Sequence, residues 1–258
     1  MIYIFAALYP ELEPVIKEFS LVSKGDSVYV GESIIATVTG VGKVNAAFSV
    51  GRTMSVYAPA DDDIAVNIGI AAGNEVGATF LINSIHDKDT DKYYYPDMLY
   101  DLGLAEKALT TVSSVVNTVD DSLYDLEASA IYQTVSKYIS PDNMFFIKTV
   151  SDAGANKNTK FTPEYVSNLM SSQVEVIKKL LTIDERIYIH PINIVDEYSE
   201  KLFCSEYMRN ELAQLVNFAR TLDVDAKGIL DDIISNRNIV SRKDGREVLD
   251  AFKSRLTS

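Results

Sequence analysis

The chain has 258 residues, 47% of them hydrophobic, and carries a formal net charge of −13. This length and apolar content suit one large domain, or one domain with an appendage. A chain this acidic repels DNA, RNA and anionic membranes, so neither nucleic acid nor a membrane is an expected partner.

The cysteine and histidine content narrows the chemistry. Cys204 is the only cysteine, so no intrachain disulfide is possible and a reducing cytoplasm is the expected location. The two histidines, His86 and His190, are expected to be structural, and a zinc site is not expected from so few ligands. We therefore expect no metal and no cofactor, and any catalysis should rest on carboxylates.

The first segment, "MIYIFAALYP", has no basic leader and only a short apolar run, which indicates a buried strand and not a signal peptide. No segment reaches the ~18 apolar residues that cross a bilayer. Continuous apolar sequence predicts a strand over 2–8, and Pro10 opens a helix to about Phe19. A glycine turn at Gly40–Gly42 then leads into a helix over about 43–57.

Further elements follow in chain order. They are strands at about 27–31, 33–39, 64–70 and 79–85, a tyrosine-rich loop at 86–100, a strand near 111–118, a helix over 122–135, a strand at 143–150 and a helix from Thr162–Pro163 to about Leu181. Strands that alternate with helices predict an α/β fold with a mainly parallel sheet and helices on its faces.

The pattern changes after residue 182, where "IHPIN" interrupts it. Apolar residues at helical spacing predict three helices, over about 204–222, 226–236 and 244–256. We therefore expect two parts, a core domain over 1–182 and a helical C-terminal extension over 183–258.

The stretch "SLYDLEASAIYQTV" (122–135) is predicted to form the first turns of a helix, with Asp125 and Glu127 in its opening turn. Acidic residues there complement the helix dipole, and Ser122 with Asp125 would make a weak capping box. The small residues after Glu127 would let the helix lie close to the sheet.

Ligands of open α/β sheets bind at the carboxyl ends of the strands. Four such ends carry suggestive residues. Glu11 follows the first strand in "ALYPELE", small residues follow the strand at 64–70 in "NIGIAAG", Glu127 follows the strand near 111–118, and Asp152 lies in "SDAGA". The sequence therefore predicts that these carboxylates meet at one edge of the sheet.

This ordered set resembles the nucleoside phosphorylase/nucleosidase superfamily, most closely its methylthioadenosine/S-adenosylhomocysteine nucleosidase branch. The similarity covers about 1–180 and rests on "ALYPELEP", "TGVGKVNAAFS", "VNIGIAAG", "YDLEASAI" and "KTVSDAGA". It implies a three-layer fold around a central mixed, mainly parallel sheet. It also implies a homodimer that cleaves the N-glycosidic bond of a purine nucleoside.

The resemblance also implies residue roles. The reaction passes through a ribosyl cation-like state. Asp152 would be the acid that protonates the purine, a role that needs a proton held near neutral pH. Glu11 would orient or deprotonate the water, and Glu127 would bind the ribose 2′- and 3′-hydroxyls. Leu126 would pack beneath the sugar, and Asp125 would cap the helix or brace the site.

The base and 5′ group are less defined by the sequence. Small residues at "GIAAG", including Ala71, would let a ligand approach the backbone. Ile70 stands where the methylthioadenosine branch commonly has a hydroxyl residue, and resembles the futalosine hydrolase branch instead. Tyr93–Tyr95 suit either loop packing or a platform that stacks on the base.

Two alternatives remain open at this point. A phosphorylase needs cations or a backbone nest for phosphate. Only Lys43 lies near the glycine turn, Arg52 lies within a helix and no arginine accompanies "NIGIAAG", which favours water as the nucleophile. A non-catalytic nucleoside sensor or scaffold is the other alternative, and retention of all three candidate carboxylates disfavours it.

Overall fold

The computed structural model describes residues 1–60, 62–154, 161–187, 191–222, 224–235, 237 and 239–256. It divides into two compact units, Met1–Leu181 and Thr182–Ser258. Within these described ranges, each helix is too short or too polar to cross a membrane.

The first unit is built on strands and helices that alternate through most of its length. The strands are β1 (Ile2–Ala6), β2 (Val22–Gly25), β3 (Val28–Val30), β4 (Ile34–Val38), β5 (Ile64–Ala72), β6 (Thr79–Asp87), β7 (Lys92–Tyr94), β8 (Ala105–Thr111), β9 (Leu123–Asp125) and β10 (Met144–Asp152). The helices are α1 (Tyr9–Glu18), α2 (Lys43–Tyr57), α3 (Ala128–Val135), α4 (Pro163–Leu169) and α5 (Ser171–Ile187), with a short 3₁₀ turn over Pro141–Asn143.

One mixed sheet joins these strands. β5 pairs in parallel with β1 and β10 and antiparallel with β9. From β10 the pairing continues through β6 and β8 to β9, which returns to β5, so five strands close into a ring. β4, β3 and β2 extend outward from β1. The two longest registers, β5 with β10 and β6 with β8, are parallel, and they bring the carboxyl ends of β5 and β10 side by side.

Burial on both faces explains why the central strands are predominantly apolar. Every residue of β1 is buried, and so are the first eight of β10. Ala46, Val50 and Met54 share one face of α2 and lie fully buried in the core, with Ile131 and Val135 of α3. Packing of this kind holds helices α2 and α3, and with them the residues at which the two helices begin, in place on the sheet.

Several elements differ from the sequence prediction. The strand predicted near 111–118 lies at β8 instead, and 112–122 is a loop, because pairing with β6 outweighs the weak strand propensity of "AEKALTT". The predicted loop at 86–100 contains β7, which pairs antiparallel with β6. β2 was not predicted, and the helix predicted from Thr162 is two helices, α4 and α5.

The stretch 122–135 also differs. It begins with β9, and α3 starts only at Ala128, so Glu127 is the residue before the helix. The predicted capping box is wrong, because the Ser122 hydroxyl lies 3.1 Å from that of Thr110. Asp125 accepts a hydrogen bond from the Ala128 amide at 2.9 Å and so caps the helix from the end of β9.

The second unit is helical and has its own core. Its helices are α6 (Pro191–Lys201), α7 (Glu206–Thr221), α8 (Ala226–Ser235) and α9 (Arg242–Leu256). Helix α6 was not predicted, since "IHPIN" was interpreted as an interruption although proline is tolerated at a helix start; His190 lies outside the described residues. The core includes Tyr198, Leu212, Leu230, Val248 and Phe252.

Candidate active site

A cavity of about 390 Å³ opens at the carboxyl ends of β1, β5 and β10. All seven residues predicted for the site line it, namely Glu11, Ile70, Ala71, Asp125, Leu126, Glu127 and Asp152. Further residues in its lining are Ala7, Leu8, Val41, Ala72, Val112, Val115, Val116, Tyr124, Ser151 and Phe161. The structure therefore brings together residues that the sequence separates by up to 141 positions.

Glu11 lies in the first turn of α1 and is 3% exposed. Its Oε2 accepts a hydrogen bond from the Leu8 amide at 2.8 Å, and its Oε1 accepts one from the Ile70 amide at 2.9 Å. Burial raises the pKa of Glu11, and the hydrogen bond from Ile70 and the charge of Lys148 oppose that rise. A Cβ at Gly69 would lie 2.9 Å from Oε1, so glycine is needed for this close approach to β5.

Glu127 is buried between the glycine turn and α3. Its Oε1 accepts a hydrogen bond from the Gly42 amide at 2.8 Å. Burial and, after it, the neighbouring Asp125 carboxylate raise the pKa of Glu127 to about 7, against the opposing influence of the Lys148 charge and the Gly42 hydrogen bond. A carboxyl group of this kind changes its protonation state within the physiological range.

Lys148 is the residue that sequence reasoning missed. It is 2% exposed on β10, and its Nζ lies 3.0 Å from Asp125 Oδ2. Burial alone would lower the pKa of Lys148, but the charges of Asp125, Glu127 and Glu11 raise it above its ordinary value. A lysine inside the apolar run "FFIKTV" was the available signal, since lysine is almost never fully buried without a partner.

Asp125 joins Lys148 to the start of helix α3. Its Oδ1 accepts a hydrogen bond from the Thr111 hydroxyl at 2.7 Å, while Oδ2 receives the Ala128 amide and the lysine. Both carboxylate oxygens of Asp125 are thus bonded to groups of the protein itself.

Asp152 ends β10 at the edge of the cavity and is half-buried. Its Oδ2 accepts a hydrogen bond from the Ser151 hydroxyl at 2.6 Å, and its Oδ1 accepts one from the Gly154 amide at 2.9 Å. The Gly73 amide donates to the Asp152 carbonyl at 2.8 Å. These contacts hold the carboxyl group in one orientation beside the cavity.

The remaining walls are apolar. Val112, Val115 and Val116 come from the loop that replaces the predicted strand, and Phe161 supplies an aromatic face. Tyr93–Tyr95, for which the sequence left loop packing and base stacking open, are not among the described residues that line this cavity. Tyr93 instead stacks on His86 with ring centroids 4.3 Å apart, and Tyr94 packs on Tyr132.

Lys43 and Arg52, two described cations of the glycine turn and helix α2, are held in ion pairs outside the cavity lining. Among the described lining residues there is no lysine or arginine. Lys43 pairs with Asp87 and Asp89, and Arg52 pairs with Asp26 at 3.2 Å.

Solved structures share this fold, whereas no protein-family model and no curated protein matches the sequence. A 5′-methylthioadenosine/S-adenosylhomocysteine nucleosidase from Helicobacter pylori, bound to butyl-thio-DADMe-Immucillin-A, matches with a TM-score of 0.57 and 13% identity over 70% of this chain and 97% of that one. The 5′-methylthioadenosine/S-adenosylhomocysteine nucleosidase from Neisseria meningitidis, in complex with methylthio-immucillin-A, matches with a TM-score of 0.57 and 20% identity over 70% of this chain and 97% of that one.

A third nucleosidase, from Colwellia psychrerythraea with adenine bound, gives a TM-score of 0.55 and 18% identity over 68% of this chain and 92% of that one. The resemblance found in the sequence is thus confirmed at the level of the fold. This protein has the mixed α/β fold of these nucleosidases.

Proposed function

We propose that this protein hydrolyses the N-glycosidic bond of a purine nucleoside of the methylthioadenosine/S-adenosylhomocysteine type, releasing the free base and the ribosyl product. The observation that carries the proposal is the meeting of Glu11, Glu127 and Asp152 in one cavity at the ends of β1, β5 and β10. The nucleosidases that share the fold support it, and a cytoplasmic location agrees with the single cysteine.

The charge of the site suits a cationic transition state. Three buried carboxyl groups surround one lysine, so the group is net negative whenever more than one acid is ionised beside Lys148. Fixed negative charge stabilises a ribosyl cation as it forms, and it does so most strongly where water is excluded. In this proposal Glu127 grips the ribose hydroxyls and Glu11 directs water at the anomeric carbon.

Asp152 supplies the proton to the leaving purine. The hydrogen bonds from Ser151 and Gly154 leave the carboxyl group fixed at the cavity edge, near the apolar walls formed by Phe161 and the three valines. Those walls would cover the faces of a flat base. Proton transfer from a positioned acid to the base makes the purine a neutral leaving group.

The same geometry favours water over phosphate as the nucleophile. Phosphate binding requires cations or several converging amides. Here Lys148 is paired with Asp125, Lys43 is paired with two aspartates, and Glu11 and Glu127 would repel an anion beside the ribose.

The test is base release from methylthioadenosine, S-adenosylhomocysteine, adenosine, inosine and futalosine, each with and without phosphate. We expect release without phosphate and no acceleration when phosphate is added, with methylthioadenosine or S-adenosylhomocysteine as the best substrate. Release that depends on phosphate would make the protein a phosphorylase. Nucleoside binding without release would make it a sensor.

We also propose a homodimer, with helix α2 at the interface. Val44 and Phe48, one turn apart on α2, are 83% and 68% exposed, and Val56 further along the helix is 68% exposed, so α2 offers apolar surface that a second copy would cover. We expect Phe48→Glu to halve the mass measured by light scattering. Val76→Glu, at an exposed valine in a turn of the first unit, serves as the matched control and should leave the mass unchanged.

A further inference from the structure

The hydrogen bond from Gly42 to Glu127 joins two segments that are 85 residues apart in the chain. Gly42 closes the glycine turn with a φ of +93°, a conformation that favours glycine, and Lys43 begins α2 directly after it. Glu127 directly precedes α3. The bond therefore depends on how the starts of two helices are held.

One buried carboxylate holds both starts. Asp87 ends β6 and is fully enclosed, and both of its oxygens lie 3.2 Å from Lys43 Nζ. Its Oδ2 also accepts a hydrogen bond at 2.6 Å from the hydroxyl of Ser129, two residues after Glu127. The segment that carries the donor, Gly42, and the segment that carries the acceptor, Glu127, are thus both bonded to the Asp87 side chain.

The anchor is anionic throughout the neutral range. Burial acts to raise the pKa of Asp87, but hydrogen bonds from Ser129, the Thr90 amide and Lys43 lower it to about 2. Asp89 adds a second carboxylate to Lys43 at 2.5 Å and itself accepts a hydrogen bond from Ser113, on the loop that carries the cavity valines. Tyr94 is a further titratable neighbour of this pair.

We propose that Lys43 and Asp87 are positioning residues that hold the Gly42 amide against the Glu127 carboxylate. Neither side chain lines the cavity, so the pair acts through Glu127. The inference rests on the proposed function only for the ribose-binding role of Glu127; the positioning itself is a property of the fold.

The proposal has a measurable consequence at Glu127. The Gly42 hydrogen bond is one of the influences that lower the pKa of Glu127, and the charged groups that face this carboxyl directly are Asp125, Lys148 and Glu11. If the pair is broken and the amide moves away, the pKa of Glu127 should rise, because a hydrogen bond to the charged form is lost.

Carboxyl titration by NMR of ¹³C-glutamate-labelled full-length protein measures this directly, with Glu127→Gln identifying the signal. We expect Lys43→Met, Asp87→Asn and Ser129→Ala each to raise the pKa of Glu127, by about 0.5–1 pH unit. The direction of the change in the pKa of Glu127 distinguishes a positioning role from a purely electrostatic effect of the substitution. Removing a negative charge at Asp87 would by itself lower the pKa of Glu127, whereas removing the positive charge of Lys43 would raise it.

Opposite shifts in Lys43→Met and Asp87→Asn, or no shift in either, would overturn the proposal. Ser129→Ala changes no charge, so it carries the test if Asp87→Asn fails to fold. The matched control is Lys107→Met, which removes a partly buried lysine paired with Glu75 at 2.9 Å, away from the cavity, and should leave Glu127 unchanged.

Activity provides the second readout. With methylthioadenosine and its 2′-deoxy analogue, Lys43→Met should raise KM for the riboside ~10-fold and shrink the preference for riboside over deoxyriboside, with little change in kcat. A merely structural defect would affect the two substrates equally. If the wild-type protein releases no base, the proposed function fails while the NMR titration still decides the role of the pair.

Discussion

Replacing Asp152 with asparagine is expected to lower kcat for base release by ~10²–10⁴-fold while the fold is retained. Asparagine has nearly the same shape, and its side-chain oxygen still accepts the hydrogen bond from the Gly154 amide. What it cannot do is give a proton to the departing purine. The loss should therefore lie in kcat, with KM little changed, because the proton is needed mainly in the transition state.

The size of the loss should depend on the leaving group. A riboside with a good leaving group, such as 4-nitrophenolate, needs little protonation and should lose much less activity in Asp152→Asn than a purine nucleoside does. Asp101→Asn is the matched control, because Asp101 accepts the Gly103 amide at 2.8 Å in the same local pattern but lies outside the cavity lining. Purine release at the wild-type rate in Asp152→Asn would show that another group is the acid.

The convergence of the site residues was predictable because it follows from a rule about sheets. Strands buried on both faces have predominantly apolar sequence, so β1, β5 and β10 could be recognised from composition. The residues just after parallel strands meet at one edge. Glu11 and Asp152 could therefore be placed at the same edge of the sheet from the sequence.

The support beneath the site could not be predicted in this way. The hydrogen bond from Gly42 to Glu127 links residues that are 85 positions apart in the chain. The ion pair of Lys43 with Asp87 links residues that are 44 positions apart. No local pattern in the sequence specifies such pairs. The placement of β8 also depended on tertiary contact, since its polar sequence forms a strand only because β6 pairs with it. The same error hid the valine loop that lines the cavity.

Lys148→Met is expected to destabilise the first unit by about 3–5 kcal/mol at neutral pH. Methionine fills a similar volume, so the loss arises from charge. Asp125 would keep its place beside Glu11 and Glu127 with the Lys148 cation removed from the group, and buried carboxylates without a counter-charge are costly. Base release should be lost as well, because the positions of Asp125 and Glu127 depend on this balance.

We expect the destabilisation caused by Lys148→Met to grow as the pH rises, because of the acids that remain in the site. Glu11 and Glu127 already have raised pKa values, and removing Lys148 raises them further. An acid whose pKa is higher in the folded state than in the unfolded state stabilises the fold at pH values below its unfolded-state pKa, near 4.5. That stabilisation is lost as the pH rises through the folded-state pKa. Lys148→Met should therefore be tolerated best near pH 5 and worst near pH 8.

Hydrogen exchange of β5 and β10 peptides in the full-length protein, measured at pH 5 and pH 8, reports the opening free energy of this unit separately from the helical one. The matched control, Lys107→Met, breaks a partly exposed pair with Glu75 and should cost less than about 1 kcal/mol at either pH. An equal loss at both pH values would mean that Lys148 contributes packing and not charge. The site would then have to balance its three acids by proton uptake alone, and Glu127 could not be the ionised group that binds the sugar near neutral pH.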